Sequence, residues 1–459
     1  MSSTGRPRCA RAATVALLSC FVATGPGSPL AADDAALEQR IADRVTAGEA
    51  RALELLEELV EINSGTMNFA GVRRVGEGLG EELARLGFEV DWADGAAFGR
   101  AGHLIARRAA AEAGAPTVLL IGHLDTVFEP DSPFQQWRRV DAEEGHAAAS
   151  GPGVTDMKGG DVVMLMALEA LHGVGVLDEL EVRVVLTGDE EKAGEPLSEA
   201  RAVLRELADG ATAAIGFEDG DSDPRTAVIA RRGASGWILR SRGTPAHSSQ
   251  IFQPGVGAGA IFELARVLEA FRRELAEIPD LTFNPGVVLG GTDVEYDDGA
   301  SAGEAFGKSN VIAETATASG DLRALSPADL RRARRVMEEV VATPLAGADS
   351  TIEWRDGYPP MAASDGNRAL LALYDRVSRD LGHGAVTAVD PRNAGAADIS
   401  FVAEQVPHCL DGIGLMGRGG HTTDETADLR TLVSQAQRAA VLLLRIARGG
   451  LVPRAEASQ

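Results

Sequence analysis

Five short polar clusters carry the residues whose types and spacing could do chemistry. They are GHLDTV with His123 and Asp125, SGPGVTDMKGG with Asp156, TGDEE with Glu190 and Glu191, FEDG with Glu218, and GLMGRGGHTTDE with His421. Clustered carboxylates near a protein interior need a cation or a proton to offset their charge. His123 and Asp125 stand at i and i+2, hence on one face of a strand, so Asp125 can steady the His123 ring as outer carboxylates do for metal-bound imidazoles. The glycines of SGPGVTDMKGG make a tight loop from which Asp156 reaches inward, and their spacing fits neither the P-loop nor the dinucleotide pattern. Taken singly, each acid reads more readily as a solvated loop charge. Their coincidence argues otherwise: four of the five clusters directly follow an apolar strand, and sites in open α/β sheets form at the carboxyl ends of strands. Two His and three carboxylates converging there suit a divalent metal pair with one bridging carboxylate.

The elements that must position these clusters alternate along the chain. Residues 35–62 read as an amphipathic helix on Leu37, Ile41, Val45, Leu53, Leu56 and Val60. The strand TVLLIGHLDTVF, the helix GGDVVMLMALEAL, the strand EVRVVLTGD, a helix over 198–207 and the strand AAIGFED follow. This order predicts an α/β fold with a mostly parallel sheet. Near Arg232 the pattern becomes strand–helix–strand–strand–helix–strand, which predicts an inserted α+β unit with an antiparallel sheet. The α/β pattern resumes with a helix over 364–381, the strand CLDGIGL and a final helix from Asp424. The expected division is a signal peptide over 1–32, a catalytic domain over 33–232 and 358–459, and an inserted lid or dimerisation domain over 233–357.

Lys plus Arg number 44 against 68 Asp plus Glu, for a formal charge of -24. Such a surface repels phosphate backbones and excludes nucleic acid as a partner. Arg6, Arg8 and Arg11 precede AATVALLSCFVAT and the small residues ending SPLAADDA. That is the pattern of a secretory signal cleaved near Ala31 or Ala32, and it implies a periplasmic or secreted protein. Lipidation of Cys20 after cleavage at LLSC is the alternative. Simple cleavage leaves Cys409 alone, so no intramolecular disulfide is expected. No other apolar run is long enough to span a membrane.

The five clusters, in this order, resemble the dinuclear zinc metallopeptidases that include aminoacylases and carboxypeptidases, nearest the glutamate carboxypeptidase (carboxypeptidase G) branch. The resemblance covers nearly all of the chain after the signal segment. It implies an α/β catalytic domain with an inserted lid that mediates dimerisation. It also implies two Zn2+, with Co2+ and Mn2+ as alternatives that the same ligands accept. One ion would be held by His123, Asp156 and Glu218, the other by Asp156, Glu191 and His421. Asp125 would orient His123, and Glu190 would be the general base. Where the family often has a small residue or proline after the fourth ligand, this chain has Asp219, an extra carboxylate or a competing ligand. His247 in RGTPAHSSQ resembles the lid histidine that crosses to a partner's active site and stabilises the oxyanion. Asn310 in SNVIAET resembles the contact to the substrate carboxylate.

Arg323 and Arg355, with Asn310, suit a substrate bearing a free carboxylate, because guanidinium binds carboxylate bidentately. The expected activity is cleavage of the amide to a C-terminal amino acid, with glutamate as the first expectation, in a small peptide or N-acyl amino acid. A deacylase or dipeptidase on the same site is one alternative. A non-catalytic protein that binds amino-acid derivatives is the other. The remaining His residues, at 103, 146, 172, 383 and 408, read as structural or surface groups.

Overall fold

The computed structural model describes residues 29–141 and 147–451. Residues 1–28 of the expected signal segment, with Cys20, lie outside the described residues, as do His146 and the tail after 451. A six-stranded sheet runs in the order Glu89–Asp94, Gly102–Arg108, Glu181–Thr187, Thr117–His123, Ala213–Gly216, Cys409–Leu410. The last four strands pair in parallel, and two antiparallel strands close one edge. The sequence expectation of a mostly parallel α/β sheet holds.

The strand Thr117–His123 is buried along its whole length. Its side chains alternate between two cores, as a period of two requires. Val118 and Leu120 join Ile41, Leu56, Leu165 and Val441 on one face, while Leu119 and Ile121 join Val185, Leu204 and Val402 on the other. The helix Lys158–Gly173 is apolar almost all round because it is covered on all sides, including by the helices Pro29–Val60 and Arg430–Ala447.

Register then sets the site. His123 pairs with Thr187, and Ile121 with Gly216. The residues that follow each strand, Gly188–Glu191 and Phe217–Glu218, therefore emerge on either side of His123 at the carboxyl ends of the parallel strands.

The inserted unit is a four-stranded antiparallel sheet, ordered Thr282–Gly291, Thr315–Arg323, Ser235–Gly243, Ala348–Arg355. It carries the helices Ala260–Leu275 and Pro327–Val341 over a separate core of Trp237, Leu239, Leu264, Val267, Phe271 and Met337. Ser326 caps the second helix by accepting from the Asp329 amide, with Pro327 in its first turn. A hairpin, Asp293–Asp297 with Ala302–Phe306, adds to what the sequence pattern predicts. The final helix begins at Arg430 rather than Asp424, because Thr426–Asp428 instead joins a small sheet with Ala147–Ser150.

Candidate metal centre

His123 closes its strand, Glu190 and Glu191 lie four residues or fewer past theirs, and Glu218 lies two past the third. Asp156 sits on the turn that opens the helix Lys158–Gly173. That helix approaches closely: a Cβ on Gly160 would lie 1.9 Å from the Phe217 carbonyl, so only glycine lets Asp156 and Glu218 meet. His421 holds a left-handed backbone, φ 63°, which a non-glycine residue adopts at some energetic expense and which recurs at functional sites.

These residues form two groups of three that share Asp156: His123, Asp156, Glu218 and Asp156, Glu191, His421. Within each, one donor atom per residue lies within 4.8 Å of the others. Asp156 turns Oδ1 to His123 Nε2 and Oδ2 to His421 Nε2, each at 3.0 Å. Glu191 reaches His421 Nε2 at 3.0 Å and Glu218 reaches His123 Nε2 at 3.8 Å. His123 Nδ1 lies 3.0 Å from the Asp125 carbonyl and 3.5 Å from its Oδ1. A proton held on Nδ1 leaves Nε2 as the ligating atom.

The carboxyls are crowded. Burial, then repulsion from Asp156, raises Glu191 to about 7 and Asp219 to about 8. Burial pushes Glu190 and Glu218 well above the usual carboxylate range, with the opposing pull of His123 outweighed. Hydrogen bonds to Asp156 and Glu191 lift His421 to about 11. For His123, burial opposes the charge, but Asp125 and Asp156 overcome it and raise the imidazole. A carboxylate-rich cluster that must otherwise gather protons, with one imidazole nitrogen and two carboxylates in each group of three, fits two divalent cations.

Asp125, fully buried, organises the loop that bears the paired glutamates. Its Oδ1 accepts from the Glu190 amide at 3.0 Å, and its Oδ2 from the Glu191 amide at 3.2 Å and the Thr66 hydroxyl at 2.6 Å. Asp189, the third acid of that run, turns away into a buried ion pair with Arg201 at 2.6 Å. Arg201 also grips Asp398 at 2.7 Å. Arg201→Met leaves two buried carboxylates, Asp189 and Asp398, without their cationic partner. It is expected to destabilise the protein by about 3–5 kcal/mol, read as a lower urea midpoint.

Several positioning groups carry little sequence signal. Glu425, at the end of the fifth cluster, is buried and accepts from the amides of Gly153, Thr155 and Asp156 at 3.0, 2.8 and 3.2 Å, so it fixes the Asp156 turn. Asp411 accepts from the Glu218 amide at 3.4 Å and pairs with buried Arg231 at 2.9 Å. Asp398 and Arg201 stand 197 residues apart, with no motif to join them.

Four expected site residues lie in the insert. His247 and Asn310 are exposed neighbours: His247 bridges to Val311, and the Asn310 carbonyl accepts from the Ser248 amide. Arg323 pairs with Asp321 at 2.8 Å, and Arg355 with Asp298, through its carbonyl at 2.6 Å and its carboxylate at 3.4 Å. Within the described residues, these four make their contacts in the insert rather than with the two metal-type groups. Of the other His, His103 is buried with Nε2 2.9 Å from the Ala200 carbonyl, and His383 and His408 are likewise hydrogen-bonded.

The sequence profile of Peptidase family M20/M25/M40 matches residues 119–448, which include both groups of three. The chain belongs to this family. It is a metallohydrolase of the family. Carboxypeptidase G2 of Pseudomonas sp. (strain RS-16) is 26% identical over 452 residues, covering 97% of this chain and 100% of that protein. Succinyl-diaminopimelate desuccinylase of Delftia acidovorans is 31% identical over 144 residues, 31% of this chain and 36% of that enzyme. The fold matches aminopeptidase PepT from Bacillus cereus ATCC 10987, with TM-score 0.66, 19% identity, and 87% of this chain and 99% of that one covered. It also matches the YXEP protein of Bacillus subtilis, described as a dinuclear metal binding peptidase of family M20, with TM-score 0.60, 18% identity, and 88% and 99% covered. Among the described residues, no helix is long and apolar enough to cross a membrane.

Proposed function

We propose that this chain is an exported dinuclear zinc exopeptidase that hydrolyses the amide to a C-terminal amino acid, with glutamate preferred. The observation that carries the reading is Asp156, with one oxygen turned to each imidazole and Glu190 next in chain to Glu191. One ion would be held by His123, Asp156 and Glu218 and the other by Asp156, Glu191 and His421. When bound, the ions supply Lewis acidity and lower the pKa of water. Glu190 takes a proton from the attacking water on its carboxylate and returns it to the leaving nitrogen. Asp125 holds the Glu190 and Glu191 amides so that the two side chains keep separate tasks.

The whole-length likeness to carboxypeptidase G2 supports a carboxypeptidase and glutamate. Asn310 is assigned to the substrate carboxylate. Arg323 and Arg355 would first have to release Asp321 and Asp298. His247 donates to the oxyanion, reaching a second subunit's site from the exposed loop of the insert. Exposed Phe252, Phe262, Val288 and Phe306 on the insert support a homodimer through that unit, and sedimentation at a single-subunit mass would remove it. Partial likeness to a desuccinylase favours a second reading, an N-acyl amino acid deacylase.

The test is amino-acid release by zinc-loaded enzyme from one acyl group joined to Glu, Asp, Leu, Ala or Lys. Glutamate released far faster than the others is the expected result. Release of neutral residues overturns the specificity, and no release from any member favours a binding protein.

A further inference from the structure

Two chain segments join the catalytic sheet to the insert, and they pair with one another. Arg231 and Met361 exchange backbone hydrogen bonds at 2.9 and 3.0 Å, and the Ala234 amide donates to the Tyr358 carbonyl at 2.9 Å. The pairing is tight. A Cβ on Gly233 would lie 2.6 Å from the Pro360 nitrogen, and one on Gly357 2.3 Å from the Ala234 carbonyl. The two segments therefore form one closely packed ribbon at the end of the insert.

Tyr358 sits in this ribbon, but its side chain belongs to the other unit. Its hydroxyl donates to the Glu190 carbonyl at 2.8 Å and accepts from Arg201 Nη2 at 2.8 Å. Its ring packs on Phe401 with centroids 5.0 Å apart. Arg201 is fully buried and holds the same loop at Asp189. The Thr187 hydroxyl, at the loop's start, bonds to Asp398, which Arg201 also grips. The glutamate loop is thus pinned from three sides: by Asp125 at its amides, by Arg201 at Asp189, and by Tyr358 at the Glu190 carbonyl. Of these three pins, the last comes from the segment that leads out of the insert.

We propose that Tyr358 is a positioning residue that couples the placement of the insert to the main chain of Glu190. The inference rests on Glu190 being the general base. A change in the angle of the insert moves the ribbon, and the Tyr358 hydroxyl carries that motion to the carbonyl of the residue that handles the proton. Small displacements suffice, because proton transfer depends steeply on the geometry of the base. Tyr358 belongs to neither group of three, and its effect is expected on turnover rather than on substrate binding.

The test is Tyr358→Phe, which removes the hydroxyl and keeps the ring on Phe401. The full-length zinc-loaded enzyme is expected to lose about tenfold in kcat, the scale of one hydrogen bond, with KM within about twofold and metal content unchanged. The decisive readout is the double variant with Glu190→Gln. If Tyr358 acts through Glu190, adding Tyr358→Phe to the Glu190→Gln enzyme costs less than about twofold. Independent multiplication of the two losses, or unchanged kcat in Tyr358→Phe alone, overturns the inference. Phe401→Leu is the control for packing: it lowers Tm and leaves kcat near wild type. A parallel loss of kcat in that control makes Tyr358 merely structural. A Glu190→Gln enzyme with normal turnover defeats the underlying assignment of the base, and is told apart because it needs no Tyr358 variant.

Discussion

Glu190→Gln is expected to lower kcat by about 10³-fold, within the range for loss of a general acid–base group, while the enzyme keeps two divalent ions per chain. The amide is almost the same size as the carboxylate and cannot take a proton. Both groups of three omit Glu190 and include Glu191 in one of them, so metal content by elemental analysis is expected to match wild type. Glu191→Gln should do the reverse and lower metal occupancy first. In the proposed division of labour Asp125, whose two oxygens hold the two successive amides, fixes the backbone from which both side chains depart. Glu190 also lies where burial already disfavours its charge, and Glu191 and Asp156 add repulsion. Replacing that buried carboxyl by a neutral amide should leave the metal-free variant melting no lower than metal-free wild type, because function here opposes stability. Near-normal turnover with both ions present would take Glu190 out of proton transfer.

What could be read from sequence follows what local chemistry writes down. The parallel strands are continuous apolar runs such as TVLLIG, and buried strands leave that mark whatever the tertiary context. The five clusters stand out because each is short and polar, and four of them are attached to such a run. The groups that hold them do not stand out. Arg201, Asp398, Asp411 and Arg231 are charged residues in ordinary sequence surroundings, and they become two buried ion pairs only when distant segments pack together. A charge in a sequence reads as solvated, since most are. Glu425 is the instructive case: it lies in the same cluster as His421, four residues on, yet its task is to receive three backbone amides of the Asp156 turn. Donors on a distant loop leave no mark on the acceptor's own sequence.

The hairpin Asp293–Asp297 with Ala302–Phe306 escaped for a different reason. Its strand AGEAF is exposed at every position and shows no alternation, while DVEYD does alternate, with Val294 and Tyr296 half-buried between exposed acids, but is only five residues long. Pairing within the hairpin and the clamp of Arg240 and Arg355 on Asp298 hold it instead. That clamp also qualifies the expectation for Arg355. An arginine chosen for its fit to a substrate carboxylate already has a carboxylate of its own, so its use in binding requires exchange of one partner for another.

Asp156→Ala should abolish the response to metal altogether, which makes it the most severe of the single substitutions. Asp156 is the one residue common to both groups, and its two oxygens face the two imidazoles at equal distance. Glu218→Ala or His421→Ala leaves one group of three whole, so one ion per chain is expected to remain. Asp156→Ala leaves neither. A ligand that binds only the folded state stabilises it by RT ln(1 + [L]/Kd), or about 4 kcal/mol per site at a thousandfold excess over Kd. Wild type should therefore melt markedly higher with zinc than after chelation, Glu218→Ala should keep part of that rise, and Asp156→Ala should melt at one temperature in both conditions. The comparison within each variant matters more than the absolute values, because the substitution also frees His123 and His421 from their shared partner. Retention of two ions by Asp156→Ala would mean that the bridge is made by another group, and Asp219, whose carboxyl feels both Asp156 and His421, would be the next residue to replace.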